Sequence, residues 1–299
     1  MAAERWEPTA AGGGPRPGDE RTRRFRRRVA WAVSTPRPVA TLAGLAVLAF
    51  WVVDALAWPL LVPYDPEAIA PGRTLEGPSS EHWFGTDDLG RDVFSRVLAG
   101  ASPVLAVAPA AAALAVAAGV ALGLVGGYLG GTADDVLMRL VDAVLAFPLV
   151  VGAVLVLSVA GVSNLHLVVV VALVLTPLTA RTVRAAVRAE RSREYVEAAR
   201  LRGDPAPYVM VGEILPNLSA LVVTEATVRL AAAVFAVATL SFLGLGIQQP
   251  SPDWGLSVAL GRVFLQTAPW VVLFPALALA TLVVATTTVA DALRERIER

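Results

Sequence analysis

The chain has 299 residues, of which 56% are apolar and 17% are charged, and its mean hydropathy is +0.64. Average soluble domains are about 45–50% apolar, so this composition excludes an ordinary soluble domain and indicates a membrane protein. The formal net charge is zero and gives no support for a nucleic-acid partner. Cysteine is absent, which excludes disulfides and thiolate metal sites. The histidines, His82 and His166, lie far apart in sequence and show no ligand spacing.

Residues 1–28 are predicted to form a disordered, basic cytoplasmic tail. The first part of this segment is rich in Gly, Pro, Ala and charge and has no apolar period, which is typical of disorder. It ends in arginines at positions 21, 23, 24, 26, 27 and 28. Such a run can bind nucleic acid, but next to an apolar segment it is more typical of the cytoplasmic flank of a membrane span.

Six apolar segments follow, and a bilayer-spanning helix needs about 20 residues. They cover residues 39–62, 101–125, 136–161, 165–180, 219–243 and 269–292. The fourth is short, and we expect it to recruit Arg181 and Thr182 or to tilt less. The predicted fold is an all-α integral membrane protein with six transmembrane helices. Residues 29–100 then hold the first helix and an extracytoplasmic loop, and residues 101–299 hold the main transmembrane domain.

Arginine is unevenly distributed among the connections, and it is the only basic residue because the chain has no Lys. Arginines are frequent in the tail, between the fourth and fifth segments, and at the C-terminus, but sparse in residues 64–100 and 244–268. Cytoplasmic connections are enriched in basic residues. The sequence therefore predicts a multi-pass protein of the cytoplasmic (inner) membrane with both termini in the cytoplasm.

The first apolar segment also has features of a secretory signal. An arginine-rich flank precedes it, and Ala55-Leu56-Ala57 resembles a small-residue cleavage site. The apolar run nevertheless continues past this site to Val62. We therefore expect the first span to be retained.

Charged residues within the predicted spans are costly unless they are paired or hydrated. Arg139 and Asp142 lie three residues apart in the third span, and Glu225 and Arg229 lie four apart in the fifth. Opposite charges at these spacings meet on one helix face, so two local salt bridges are predicted. The alternative is an ion or proton relay through Asp142 and Glu225. Asp54, late in the first span, is expected to be interfacial with access to water.

Two further patterns concern packing and capping. Gly119, Gly123 and Gly127 form a smooth face on the second span, which lets another helix approach closely. The loop before that span is acidic around residues 87–92 but lacks the ligand pattern of a calcium loop. Thr86 or Asp88 is predicted to cap a short helix that runs to Gly100.

The connection 181–218 is the most informative part of the sequence. Residues 184–202 are predicted to be a mostly polar helix, which Gly203 can end in a left-handed conformation. Pro205 and Pro207 oppose immediate regrowth of the helix. Small residues between Glu197 and Gly203 would let this helix sit closely in a groove of another protein. The alternative is an ordinary loop between two spans.

This connection resembles the ATPase-coupling loop of the permeases of ATP-binding-cassette (ABC) importers. The matching residues are Tyr195, Glu197, Ala198, Ala199, Gly203 and Pro216. Further marks resemble the second permease subunit of the dipeptide, oligopeptide and nickel importers. They are residues 84–87 (FGTD), residues 90–92 (GRD), Arg139, Asp142, Phe147, Pro148, residues 241–246 (SFLGLG), Pro250 and residues 252–255 (PDWG). Glu213, in place of a hydrophobe, departs from the pattern, as does the end of the last span.

The resemblance implies the type I importer transmembrane fold and a set of partners. These are a sister permease in a heterodimer, two cytoplasmic ATPase subunits that bind ATP and Mg, an extracytoplasmic solute-binding protein, and membrane lipid, without nucleic acid. A chain without Lys cannot contain a P-loop, so no enzyme activity and no cofactor are expected in this chain. Short peptides are the expected cargo, and nickel or another small solute is the alternative. A proton-coupled secondary transporter and a membrane scaffold without transport activity remain rival functions.

Overall fold

The computed structural model describes residues 38–297, and it is helical apart from its connections. The predicted tail, residues 1–28, and the arginine run in it lie outside the described residues. The longer helices, in chain order, are α1 (Pro38–Leu61), α2 (Val93–Ala99), α3 (Ala101–Leu129), α4 (Gly131–Leu145), α5 (Leu149–Ala160), α6 (Asn164–Glu190), α7 (Glu194–Leu201), α8 (Ser219–Phe242), α9 (Trp254–Gly261) and α10 (Trp270–Ile297). Shorter helical turns are Pro71–Arg73, Ala206–Tyr208, Val209–Ile214 (a π-helix), Leu215–Asn217 and Arg262–Phe264.

Five stretches of helix are long and apolar enough to cross a membrane, namely α1, α2 with α3, α6, α8 and α10. Helices α4 and α5 meet this test only as a pair, and they are bent by 89° relative to each other. Counted as one span, the pair gives the six spans that the sequence predicts. The predicted all-α membrane fold is therefore confirmed, but the prediction of one continuous third helix is wrong.

The bend between α4 and α5 has a local cause in the sequence. Pro148 disfavours a helical conformation at Phe147, and Pro148 itself is extended, with ψ of 140°. Helix α4 therefore ends at Leu145, and α5 begins after the proline. Phe147 and Pro148 are marks of the family resemblance, but hydropathy alone predicts an apolar segment that continues through them.

The fourth span also differs from its prediction. Helix α6 has 27 residues and runs on to Glu190, well beyond the apolar part. The helix that was predicted over residues 184–202 is consequently divided, since α7 begins only at Glu194. The reason is that alanine and arginine, which are good helix formers, extend α6 past the point where hydrophobicity falls.

The centre of the fold is the contact between α3 and α6. Gly119, Gly123 and Gly127 of α3 face residues of α6 that are also spaced by four. A Cβ atom built on Gly123 would lie 2.7 Å from Cβ of Val183, and one on Gly127 would lie 2.8 Å from Cβ of Val187. Only glycine permits this approach, and close backbone packing is a main source of helix association in lipid. Helix α8 packs against α3 and α6, and α10 lies against α8.

A lobe formed by residues 62–92 covers one end of the bundle, and its polar contacts are largely buried. Asp92 caps α2 by accepting the Ser95 N–H at 2.8 Å, so the predicted caps, Thr86 and Asp88, are wrong. Arg96 donates to the carbonyl oxygens of Pro66, at 2.9 Å, and Ser251, at 3.2 Å. These bonds join the lobe to the connection between α8 and α9. The marks at residues 84–87 and 90–92 lie in this lobe.

Candidate functional site

Helix α7 carries the motif that resembles a coupling loop, and it has one buried and one exposed face. Val196 and Ala199 are fully buried, in a cluster that also contains residues of α3, of α6 and of the π-helical turn Val209–Ile214, against which α7 packs. Glu197 and Ala198 lie on the exposed face. Two adjacent alanines of the motif thus have different surroundings. Ala199 lets α7 sit on the bundle, and Ala198 leaves the opposite face smooth.

Polar contacts fix α7 to the helices that it sits on. The Tyr195 hydroxyl donates to Glu190 at 2.8 Å, which ties α7 to the end of α6. Burial, together with this bond to a carboxylate, raises the pKa of Tyr195 to about 12. On the other side, the Arg200 guanidinium lies 4.8 Å from the ring centre of Tyr128 and donates to its hydroxyl at 3.3 Å. Helix α7 is thereby attached to both α3 and α6.

Gly203 ends this segment as the sequence predicted, in the left-handed region with φ of +84°. The Asp204 N–H donates back to the Ala199 carbonyl at 3.2 Å, which is a usual closure of a helix C-terminus. A Cβ atom on Gly203 would meet no atom of residues 38–297 within 4 Å. The surface at Gly203 is therefore open.

The departure of Glu213 from the motif has a structural explanation. Arg202 donates to Glu213 at 2.9 Å and to Asp204 at 2.8 Å, so the carboxylate that replaces a hydrophobe has a cationic partner. Pro216 follows at the start of the turn Leu215–Asn217, where a missing N–H costs little. Residues 203–217 are thus folded back beside α7.

Glu197 differs from the arginines around it. Arg193 and Arg202 pair with the nearby carboxylates of Glu190 and Asp204, and Arg200 contacts Tyr128 of α3. Within residues 38–297, the Glu197 carboxylate has neither an ion pair nor a hydrogen bond, and it is exposed. A carboxylate held on a fixed helix and surrounded by arginines is available to a cation on another protein.

Of the two predicted charge pairs, the structure forms the pair in the fifth span. Arg229 Nε lies 3.2 Å from Glu225 Oε2, and both side chains are largely buried. Thr179 of α6 donates to the same carboxylate oxygen at 3.1 Å. Glu225 therefore joins α8 to α6 as well as neutralising Arg229.

The predicted pair in the third span is wrong. Asp142 bonds to Arg181 of α6 at 2.5 Å and, within the described part of the chain, it makes no ion pair with Arg139. Three residues of separation permit contact on one helix, but α6 passes close enough to α4 to supply a cation of its own. The pair is also exposed, with 51% and 59% of the two side chains accessible.

Asp134, which the sequence analysis missed, is the most strongly bound carboxylate of α4. Its side chain is only 1% exposed. Arg184 donates to it through Nε at 2.5 Å and Nη2 at 2.6 Å, and Arg188 also bonds to it. The sequence did indicate that an acidic partner was needed, because Arg184 and Arg188 lie four residues apart on one face of a helix.

Asp54 also contradicts its prediction. We expected access to water, but the residue is 1% exposed. Neither carboxylate oxygen has a hydrogen-bond partner among residues 38–297. Helix α1 packs against α2, α3 and α10, and Trp51 joins α1 to α10 by donating to Thr281 at 3.0 Å.

Neutralising Glu225 is expected to reduce folding and assembly. In Glu225→Gln, Arg229 would keep its charge in a largely buried position, and breaking a buried pair in this way costs about 3–5 kcal/mol. The yield of monodisperse protein in detergent and its melting temperature provide the measurement. The double variant Glu225→Gln/Arg229→Met is the control, and it should recover much of the loss because no unpaired charge remains. Normal yield together with loss of proton-dependent uptake would contradict this structural role and favour a relay.

Comparison with known proteins agrees with these features. Residues 119–299 match the family described as the binding-protein-dependent transport system inner membrane component. The dipeptide transport system permease protein DppC of Alkalihalophilus pseudofirmus is 35% identical over 257 residues, which cover 86% of this chain and 84% of the relative. The di/tripeptide transport system permease protein DppC of Pseudomonas aeruginosa is also 35% identical, over 86% of this chain and 87% of the relative.

The glutathione transport system permease protein GsiD of Escherichia coli is 37% identical over 283 residues, covering 94% of this chain and 90% of the relative. The similarity thus spans nearly all of the chain, and the family match alone covers more than half of it. The chain therefore belongs to the family of inner-membrane components of binding-protein-dependent transport systems, in the group of ABC importer permeases that contains DppC and GsiD.

Proposed function

We propose that this chain is one of two permease subunits of an ABC importer that carries short peptides into the cytoplasm. Its relatives are named for dipeptides, for di- and tripeptides, and for glutathione, which is itself a short peptide. The proposed coupling to the ATPases rests on the two different faces of α7. This helix is fixed on one face by Tyr195 and Arg200, and on the other it presents Glu197, which has no ion pair or hydrogen bond from the described part of the chain.

In the proposed mechanism, this chain makes and breaks no covalent bonds. Two cytoplasmic ATPase subunits bind ATP and Mg, and their closure moves α7, which we call the coupling helix. Rigid-body motion of the attached spans then switches access to a path between this chain and its sister permease. An extracytoplasmic solute-binding protein delivers the peptide to that path.

The partners and the cargo can be tested together. The chain is affinity-purified with its co-expressed neighbours, and the copurifying proteins and the ligand of the binding protein are identified by mass spectrometry. We expect a sister permease, ATPase subunits and a binding protein that holds a short peptide. A bound nickel complex or another small solute would replace the proposed cargo. Purification without any ATPase, followed by proton-driven uptake, would overturn the mechanism.

The proposed orientation places both termini in the cytoplasm and the lobe, residues 62–92, outside. Glu76 is an exposed residue of this lobe, and the chain has no native cysteine to interfere with labelling. In Glu76→Cys, a membrane-impermeant maleimide should therefore react in intact spheroplasts. Labelling that occurs only after lysis would reverse the topology.

A further inference from the structure

Helix α4 is joined to α6 by ion pairs near both of its ends. Near the start of α4, Asp134 accepts hydrogen bonds from Arg184 and Arg188. Near the end of α4, Asp142 accepts one from Arg181. The two helices run in opposite directions, so the order of the pairs along α4 is reversed along α6. The two attachments differ in strength. Asp134 is buried and accepts two parallel bonds from Arg184, whereas the Asp142 pair is exposed and contributes little.

The part of α6 that holds Asp134 leads directly into the coupling helix. Arg188 lies in the last turn of α6, which ends at Glu190, and α7 begins at Glu194. The Tyr195–Glu190 bond closes this short connection. A displacement of α7 is therefore transmitted to the last turns of α6 and, through their two arginines, to Asp134.

Helix α4 can follow such a displacement without the other half of its span. The break at residues 146–148 separates it from α5, and the two axes diverge by 89°. No helical hydrogen bonds continue across Pro148, which has no N–H to donate. The far half, α5, packs on the same helix α6, and Ala153 and Leu157 of α5 are buried in the main core together with Leu167 and Val170 of the first half of α6.

We propose that Asp134 is a positioning residue for transport, which makes α4 move with the coupling helix while α5 stays with the core. This inference rests on the proposed function, because it requires ATPases that act on α7. It divides the third span into a driven half and a fixed half that meet at Phe147 and Pro148. The ion pair of Asp134 is the attachment through which the driven half is moved.

The test follows the exposure of α4 in the complete importer. Leu140 lies on α4 and is 61% exposed, and Leu140→Cys provides the only thiol of this chain. Its reaction rate with an impermeant maleimide is measured in the complex with its partners, without nucleotide and with a non-hydrolysable ATP analogue. We expect the rate to change by about threefold or more, as a shift between two conformations would produce. In Asp134→Asn the change should fall to less than about 1.3-fold, because α4 no longer follows the switch.

Two further variants separate this role from a general loss of structure. Asp135→Asn is the matched control, because Asp135 is the next residue, is exposed, and forms no ion pair within the described residues. It should keep the full nucleotide response. Asp134→Glu keeps the charge and should restore most of the response that Asp134→Asn loses. ATPase subunits and basal ATP hydrolysis should remain in all three variants, which distinguishes this proposal from the proposed function.

Arg188→Gln covers the case in which Asp134→Asn does not assemble. Half of the Arg188 side chain is exposed, and Arg184 would still hold Asp134 by its two bonds. A reduced but measurable response in an assembled complex supports the proposal. An unchanged response in Asp134→Asn or, if that variant fails to assemble, in Arg188→Gln would overturn it, as would the absence of any nucleotide effect in the unsubstituted chain.

Discussion

Replacing Glu197 with alanine is expected to release the ATPase subunits while the permease still inserts normally. The Glu197 carboxylate is exposed and unpartnered within residues 38–297, so its removal disturbs no contact of this chain. If it pairs with a buried cation of an ATPase, the loss of one member of such a pair costs about 2–5 kcal/mol. That corresponds to docking weakened by about 30-fold or more. ATPase retained during purification, and ATP hydrolysis stimulated by the binding protein, are the measurements.

Glu194→Ala is the matched control for this prediction. Glu194 lies on the same helix, is exposed, and is not part of the motif, so its loss should leave ATPase retention unchanged. Equal retention in Glu197→Ala and in the unsubstituted protein would contradict a docking role for Glu197.

Gly203→Asp is a second test of the same surface, and it acts through the backbone. A Cβ atom in the left-handed region costs roughly 1–2 kcal/mol, and the new side chain would occupy the open space beside α7. Gly161→Asp is its control, since Gly161 has φ of +80° and is equally open, but lies between α5 and α6. Both variants should insert, and only Gly203→Asp should lose ATPase. A similar loss in both would show that backbone strain alone is responsible.

The second large effect is expected at the contact between α3 and α6. A Cβ atom on Gly123 would lie 2.7 Å from Cβ of Val183 and 2.9 Å from the Ala180 carbonyl oxygen. Neither atom is at the end of a flexible side chain, so even Gly123→Ala must separate the two helices. Overpacking of this kind typically costs about 1–3 kcal/mol, and Gly123→Leu should exceed that range and prevent stable folding.

Folded yield and melting temperature in detergent measure this effect. Ala121→Leu adds a larger side chain to an exposed position of the same helix, so it should be tolerated. A normal melting temperature for Gly123→Leu would contradict the close approach of α3 and α6.

Much of this architecture follows from local features of the sequence. Hydrophobic length identified the spans, and the four-residue spacing of Gly119, Gly123 and Gly127 indicated a close helix contact, although it did not identify α6 as the partner. Gly203 adopts the left-handed conformation that its place after a polar helix indicated. These features depend on near neighbours in the chain, and a sequence displays such neighbours directly.

The sequence-based predictions of ion-pair partners and burial were wrong where those features depend on residues far away in the chain. Asp142 had a candidate partner three residues away in Arg139, but it bonds to Arg181, which is 39 positions along the chain. Asp134 depends on arginines 50 and 54 positions away, and Asp54 is buried in a helix that packs on α2, α3 and α10. The choice among such partners depends on how the helices are arranged, and hydropathy does not contain that information.

In the proposed mechanism, ATP hydrolysed by partner subunits drives peptide uptake through the coupling helix. The most direct measurement is uptake of a radiolabelled dipeptide by proteoliposomes that contain the permease pair and the ATPases, with the binding protein outside. We predict that uptake requires ATP inside the vesicles, persists when a protonophore removes the proton gradient, and falls to background in Glu197→Ala. Uptake that continues without ATP and collapses with the protonophore would contradict ATP-driven import.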